Sequence, residues 1–327
     1  MKRNKPILYL VVPCYNEEEG IEKSSSILLN KLKELEKKDV ISNKSKVLFV
    51  NDGSKDNTKE ILNKLAEKES KFAVVSFVTN AGHQPAIYAG MMIAKDYADI
   101  VVTIDADLQQ DINALERFID AYNKGNDVVY GVRNDRATDG AFKKFTAGIY
   151  YKLMKFMGSN VLENSADYRL LSKKALESLS NYKEGNLFLR GLIPYMGFNS
   201  DIVYFDVKDR EAGESKYTFK KMLNLAISGI TSFSVTPMHL ICVAGALSVF
   251  IGLLVLLFNL LGLIFGNPFT SFDLLMFVLF VLFGITIGSI GIVGEYVGTT
   301  NLEVKNRPRY IIDYVLIDTK ESNAKKK

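Results

Sequence analysis

The sequence predicts an α/β protein: a doubly wound, mostly parallel sheet followed by an interfacial helix and a two-helix transmembrane hairpin. Three observations carry this. Apolar runs of strand length alternate with amphipathic helical stretches over residues 7–205. Almost all charge lies before Arg210 or after Glu295. Between them sit two charge-free runs, 240–272 and 274–294.

Taken in order, residues 7–13 read as a buried strand, and Ile21, Leu28, Leu32 and Leu35 share one face of the helix that follows. Residues 47–50 form a second strand, after which Ile61, Leu62 and Leu65 begin a second helix. Further strands fall at 74–78, 100–104 and 128–130, with helical stretches around 84–95 and 112–124. Ligands on doubly wound sheets bind beyond the carboxyl ends of the strands. Four of these ends are chemically rich: Pro13-Cys14-Tyr15-Asn16-Glu17, Asn51-Asp52-Gly53-Ser54, Asp105-Ala106-Asp107-Leu108-Gln109, and Tyr130-Gly131-Val132-Arg133. An acidic loop at one strand end is commonly a helix cap, and Asp56 suits that role; four in one sheet point to a site. Asp105 and Asp107, one residue apart after an apolar strand, offer hard oxygen ligands for a divalent ion that also holds phosphate oxygens. Asp107 with Gln109 suits the ion, and Asp105 the ion or a ribose.

The apolar run 240–265 is long enough to cross a bilayer, which takes about twenty residues as a helix. The segment 266–273 carries Gly266, Asn267 and Pro268 and reads as the turn of a hairpin. That turn has no Lys or Arg, whereas Lys216, Lys220 and Lys221 precede the hairpin and Lys305, Arg307 and Arg309 follow it. The bias puts both ends of the hairpin, and both termini, on the cytoplasmic side of a cell membrane. Gly284, Gly288, Gly291, Gly294 and Gly298 recur at helical spacing and allow close helix approach, within the hairpin or between subunits. A homo-oligomer is expected. Residues 219–235 suit an interfacial amphipathic helix or a plain connecting one.

Composition removes other classes. A net charge of +4 over 327 residues, without a dense basic cluster, excludes a nucleic-acid partner. Two histidines, His83 and His239, and no Cys/His cluster argue against a zinc site. Cys14 and Cys242 lie in a strand end and an apolar run, so a disulfide is not expected. The apolar start after Met1 is too short for a signal peptide. His83 reads as a loop residue.

The motifs PCYNEE, NDGSKDNT, NAGHQPAIYAG, DADLQ, ADYRL, FLRG and Arg210-Glu-Ala-Gly-Glu-Ser-Lys216-Tyr occur in that order, followed by GEYVGTTNLEVKNRPRYI. Together they resemble the polyprenyl-phosphate glycosyltransferases of glycosyltransferase family 2, relatives of dolichyl-phosphate mannose synthase, in the bacterial group with two C-terminal membrane helices. The likeness runs from about Leu8 to Ile312. It implies a GT-A fold, a nucleotide-sugar donor (UDP- or GDP-linked), Mg²⁺ or Mn²⁺, a polyprenyl phosphate acceptor and inversion at the anomeric carbon. Carried over, Pro13, Tyr15 and Glu17 border the base, Asp52 contacts the nucleoside, Asp105 lies at the ribose and sugar, and Asp107 and Gln109 hold the metal. Asn51 stands where an aspartate is usual, and Gln110-Asp111 replaces an acidic residue and proline.

An ionised phosphate acceptor is already a nucleophile, so the expected task is electrostatic: cations bring two anions together. Arg133, Arg169 and Arg190 are assigned to the lipid phosphate, with Arg133 and Arg169 catalytic beside Asp105 and Asp107. Arg210 and Lys216 are assigned to the donor diphosphate on a loop loosened by Gly213. The expected domains are a cytoplasmic GT-A domain at 1–217, a juxtamembrane helix at 218–236, the hairpin at 237–298 and a cytoplasmic tail at 299–327. A chain cut after Val235 is expected to keep the donor site. A processive polysaccharide synthase is disfavoured because the chain has no tryptophan for a Gln-x-x-Arg-Trp motif. A non-catalytic scaffold is disfavoured by the full set of carboxylates and cations.

Overall fold

The protein is described by a computed structural model covering residues 5–134, 165–185, 187–206 and 272–317, with Leu162, Leu247 and Phe250; within 272–304 the side chains are described in part. Arg210, Lys216, the expected juxtamembrane helix and most of the first apolar run lie outside these residues. The chain forms two compact units: one of 1–152, 160–218 and 308–327, the other of 153–159 and 219–307.

The first unit is built on an eight-stranded sheet. Its strands are β1 (Leu8–Cys14), β2 (Lys46–Asn51), β3 (Phe72–Phe77), β4 (Ile100–Thr103), β5 (Val128–Arg133), β6 (Ser165–Ser172), β7 (Ser200–Phe205) and β8 (Ile312–Leu316). Across the sheet they run β7-β5-β6-β4-β1-β2-β3-β8. The helices are α1 (Ile21–Lys37), α2 (Thr58–Lys68), α3 (His83–Ala94), α4 (Ala114–Asn123), α5 (Lys173–Leu179) and α6 (Leu189–Tyr195).

Strands β1, β3 and β4 are buried along their whole length, as continuous apolar runs covered on both faces must be. Helix α1 buries Ile21, Leu28, Leu32 and Leu35, the face its periodicity marks. Helix α3 lies so close to the sheet that a Cβ on Gly90 would collide with Val11 of β1 and Val50 of β2. Only glycine permits that approach.

The sheet is mixed rather than mostly parallel. Strands β1, β2, β3 and β4 pair in parallel, as do β5 and β7. Strand β6 runs antiparallel to both β4 and β5, and β8 antiparallel to β3. The residue pattern assigned none of β6, β7 and β8. In β6, Asp167 and Arg169 break the apolar run that marks a central strand, because the two side chains satisfy each other inside the protein. Residues 299–327, expected as a tail, instead continue a helix to Val304 and contribute β8 to the sheet edge.

In the second unit, α7 (Phe272–Val304) is helical over the whole second apolar run. Thr286, Ser289 and Thr300 donate their hydroxyls to carbonyls one turn back, at Leu282, Ile285 and Tyr296. Among the described residues, no helix is long and apolar enough to cross a membrane.

Candidate active site

The loops that follow β1 and β2 are laced together. The Asn16 and Glu17 backbone N–H groups donate to the Ser54 and Thr58 hydroxyls at 3.1 and 2.9 Å. The Lys55 N–H donates to Asn16 Oδ1 at 2.9 Å. Asp56 accepts from the Thr58 backbone N–H at 3.1 Å and so supports the start of α2. Pro13 is buried in β1, Tyr15 is 37% exposed at its end, and Glu17 is half-buried.

Asp52 is 3% exposed and commits both oxygens to the turn before α3. Oδ1 accepts from the Ala81 N–H at 2.7 Å, and Oδ2 from the Gly82 N–H at 3.0 Å and from Asn80 Nδ2 at 2.8 Å. Burial pushes its carboxyl above the usual range, against the pull of the two N–H groups. Gly53, at φ 61°, packs its Cα against the backbone of Thr79, where a side chain would clash. The loops after β2 and β3 thus fix where α3 begins, and α3 begins with His83.

His83 is where sequence reasoning fell short. Its Nε2 stands 3.6 Å from Asp105 Oδ1 and 3.7 Å from Asp167 Oδ2. Asp105 follows β4, while Asp167 lies near the start of β6. Because β6 is antiparallel to β4, its first residues arrive at β4's carboxyl end, with Thr103 opposite Arg169. The Thr103 hydroxyl donates to the Asp167 carbonyl and secures this register. A parallel sheet would have put Asp167 elsewhere.

Asp167 gathers the neighbouring cations. Arg190 donates to it through Nε at 3.3 Å and Nη2 at 3.1 Å, Gln84 Nε2 at 3.2 Å, and Arg169 through Nη2. Burial alone would raise the Asp167 carboxyl; the Arg190 and Arg169 guanidiniums outweigh it and hold the group far below the usual carboxylate range. Asp105 moves the other way. Burial raises it, with Asp167 and Asp107 adding repulsion, against the pull of His83 and a hydrogen bond from Gln110. Gln110, a departure from the commoner family pattern, therefore holds Asp105 from both sides, since its Oε1 also accepts from the Asp105 backbone N–H at 3.3 Å. Gln84 Oε1 is buried without a partner among the described residues.

Arg169 is 2% exposed, and its guanidinium donates to Asp167 and to the Leu189 and Ala166 carbonyls at 3.2 and 3.3 Å, tying Asp167 to the start of α6. Arg190 is 33% exposed beside Asp167, and Arg133 is exposed at the end of β5. Asp107 is exposed and accepts from the Gln109 N–H at 3.2 Å in a tight turn, with Leu108 at φ 48°. Among the described residues, no three His, Cys, Asp or Glu side chains converge as a complete metal cage. An exposed carboxylate next to a carbonyl-bearing Gln109 does fit a Mg²⁺ or Mn²⁺ ion that takes its remaining ligands from water and substrate phosphates.

Carboxylates and arginines gathered at the strand ends of a mixed α/β sheet suit an enzyme that transfers a group between anionic substrates. Residues 9–180 match Glycosyl transferase family 2, and the chain belongs to that family as a hexosyltransferase. It is 42% identical over 313 residues to the glycosyltransferase YkoT of Bacillus subtilis, covering 96% of this chain and 93% of that one. It is 38% identical over 305 residues to the SfII prophage-derived bactoprenol glucosyl transferase of Shigella flexneri, covering 93% and 96%. Among solved structures, glucosyl-3-phosphoglycerate synthase from Mycobacterium tuberculosis is similar at TM-score 0.46 and 16% identity, over 69% of this chain and 78% of that one.

Proposed function

We propose that this enzyme transfers a hexose from a nucleotide-sugar, UDP-linked, to polyprenyl phosphate at the cytoplasmic face of a membrane. The observation that carries the reading is the cluster of Asp105, His83, Asp167 and Arg190 at the carboxyl end of the sheet, beside the exposed Asp107. The bactoprenol glucosyl transferase name of a relative matched over 93% of this chain supports the lipid acceptor. The unbroken helix over the second apolar run suits the second span of a membrane hairpin at 237–298, and the Lys and Arg residues flanking that hairpin in sequence suit cytoplasmic termini. The helix returns its hydroxyls to its own backbone, as an apolar surrounding requires. The glycine-bearing face of that helix suits a homo-oligomer.

Asp107 and Gln109 would hold Mg²⁺ or Mn²⁺, and such an ion would supply positive charge to offset that of the departing diphosphate. Pro13, Tyr15 and Glu17 border the base, and Asp105 takes the ribose and sugar side. Arg190 and Arg133 receive the acceptor phosphate, whose own oxygen attacks the anomeric carbon and inverts it. Asp167 is not the base: a carboxylate held so far below the usual range stays ionised and accepts no proton near neutrality. It aims Arg190 instead. Arg210 and Lys216 cover the donor diphosphate.

Labelled sugar on polyprenyl phosphate, separated by thin-layer chromatography, tests this. Asp107→Asn is expected to cut lipid labelling by about 100-fold. Equal labelling by variant and wild type would refute the assignment.

A further inference from the structure

The RPRY segment after α7 has no part in the chemistry above, yet it reaches the elements that build it. Arg309 lies with its guanidinium carbon 4.5 Å above the Tyr88 ring, and its Nη2 donates to the Tyr182 carbonyl at 2.7 Å. Tyr88 is on α3, one and a half turns beyond His83 and Gln84. Tyr182 closes α5 and sets its ring edge-on to Tyr195 at the end of α6, with centroids 6.5 Å apart. Helix α6 begins with Leu189, whose carbonyl accepts from Arg169, and Arg190, which grips Asp167. Arg309 thus touches α3 directly and reaches α6 through Tyr182 and its ring contact with Tyr195, and both helices contribute partners to Asp167.

The rest of the segment is fastened independently. Tyr310 stacks on Phe77, with ring centroids 5.0 Å apart and planes 4° from parallel. The Val78 N–H donates to the Ile311 carbonyl at 3.0 Å. Tyr314 donates its hydroxyl to Asn63 of α2 at 2.7 Å, Lys59 pairs with Asp313 at 2.9 Å, and Lys46 donates to the Ile317 carbonyl at 2.7 Å. Arg309 is therefore held by a strap docked on β3 and α2, and from there it reaches α3 and Tyr182.

We infer that Arg309 is a positioning residue for sugar transfer, setting α3 and α6 so that His83, Gln84 and Arg190 meet Asp167 in working geometry. This rests on the transfer reaction proposed above. A cation over an aromatic face and a charge-assisted bond to a carbonyl are both directional, so Arg309 constrains angle as well as distance. Its partners Tyr88 and Tyr182 lie outside loops 14–20 and 51–58, so the effect is expected on turnover more than on donor affinity.

The test uses the full-length protein, with R309A, R309K and, as a control for strap packing, Y310A. R309A is expected to lower kcat for transfer to polyprenyl phosphate roughly 10–100-fold, with the nucleotide-sugar KM within about two-fold of wild type. R309K, keeping the charge over Tyr88 and one donor, recovers part of that loss. Amide exchange should rise in R309A over both 83–91 and 182–195, while Y310A raises it over 308–317. The inference is overturned if R309A keeps wild-type kcat, or if its exchange rises only along the strap. Should the wild type transfer no sugar to polyprenyl phosphate, the proposed function fails and the exchange pattern still decides whether Arg309 couples α3 to α6.

Discussion

The two sides of this sheet are built on different logic. On the β1-β2-β3 side, each parallel strand hands its carboxyl end to a loop, and those loops fasten to one another through short local bonds such as Asn16 to Ser54 and Asp52 to the 80–82 turn. On the β4-β6-β5 side, an antiparallel strand imports Asp167 and Arg169 from far along the chain, and α6 adds Arg190. The first side is a frame whose polar groups serve its own loops. The second is a cluster whose charges are mutually dependent, where one loss exposes several partners.

Breaking the second side should therefore cost more than breaking the first. Asp167→Asn is expected to lower turnover about 100-fold and to destabilise the protein by about 3 kcal/mol in urea titration, because Arg169 stays buried without its counter-charge. Acid should reveal the same group. Its folded value lies below its unfolded one of about 3.9, so its contribution is complete above that pH and is lost as pH falls through the folded value. The urea midpoint of wild type should fall more steeply than that of Asp167→Asn on going below about pH 4. A parallel decline would show that Asp167 is not charge-paired in solution.

His83 sits on the boundary between the sides, carried by the frame and facing the cluster. His83→Ala should reduce kcat by about ten-fold while leaving stability nearly unchanged, since the ring is 43% exposed. An effect on the nucleotide-sugar KM alone would move His83 to the donor side. On the frame, Asp52→Ala leaves the Ala81 and Gly82 N–H groups without their carboxylate acceptor and should lose about 2 kcal/mol of stability, read from thermal melts. The smallest expected change is Tyr314→Phe, about 1 kcal/mol for one hydroxyl bond to Asn63.

The frame was legible in the sequence because its strands are local apolar runs and its helices carry clear faces, as with Ile21 to Leu35 in α1. Asp105 and Asp107 were legible for the same reason: they end a strand that announces itself. Arg190 was found through its motif. Asp167 was not, although ADYRL was noted, because only the antiparallel register of β6 brings it to Asp105. His83 was read as a loop residue because nothing near it in sequence is acidic; its partners are contributed by β4 and β6. The burial of Asp52 and Arg169, and the local partners each one holds, were not legible, because those partners come from the 80–82 turn, β6 and α6. Strand β8 escaped notice because five residues after an apolar helix look like a tail. Its presence also alters the expectation for a chain cut after Val235, which would remove β8 and Arg309 from the sheet domain.

Strand β8 imposes an order on manufacture. Until residues 312–316 leave the ribosome, β3 presents an unpaired apolar margin, the kind of ledge on which neighbouring chains zip together. Both greasy runs are translated before that margin can be sealed. A nascent chain stalled between them therefore carries two hazards at once, and quick delivery to the bilayer would shorten the time during which the unfinished domain can stick to its siblings.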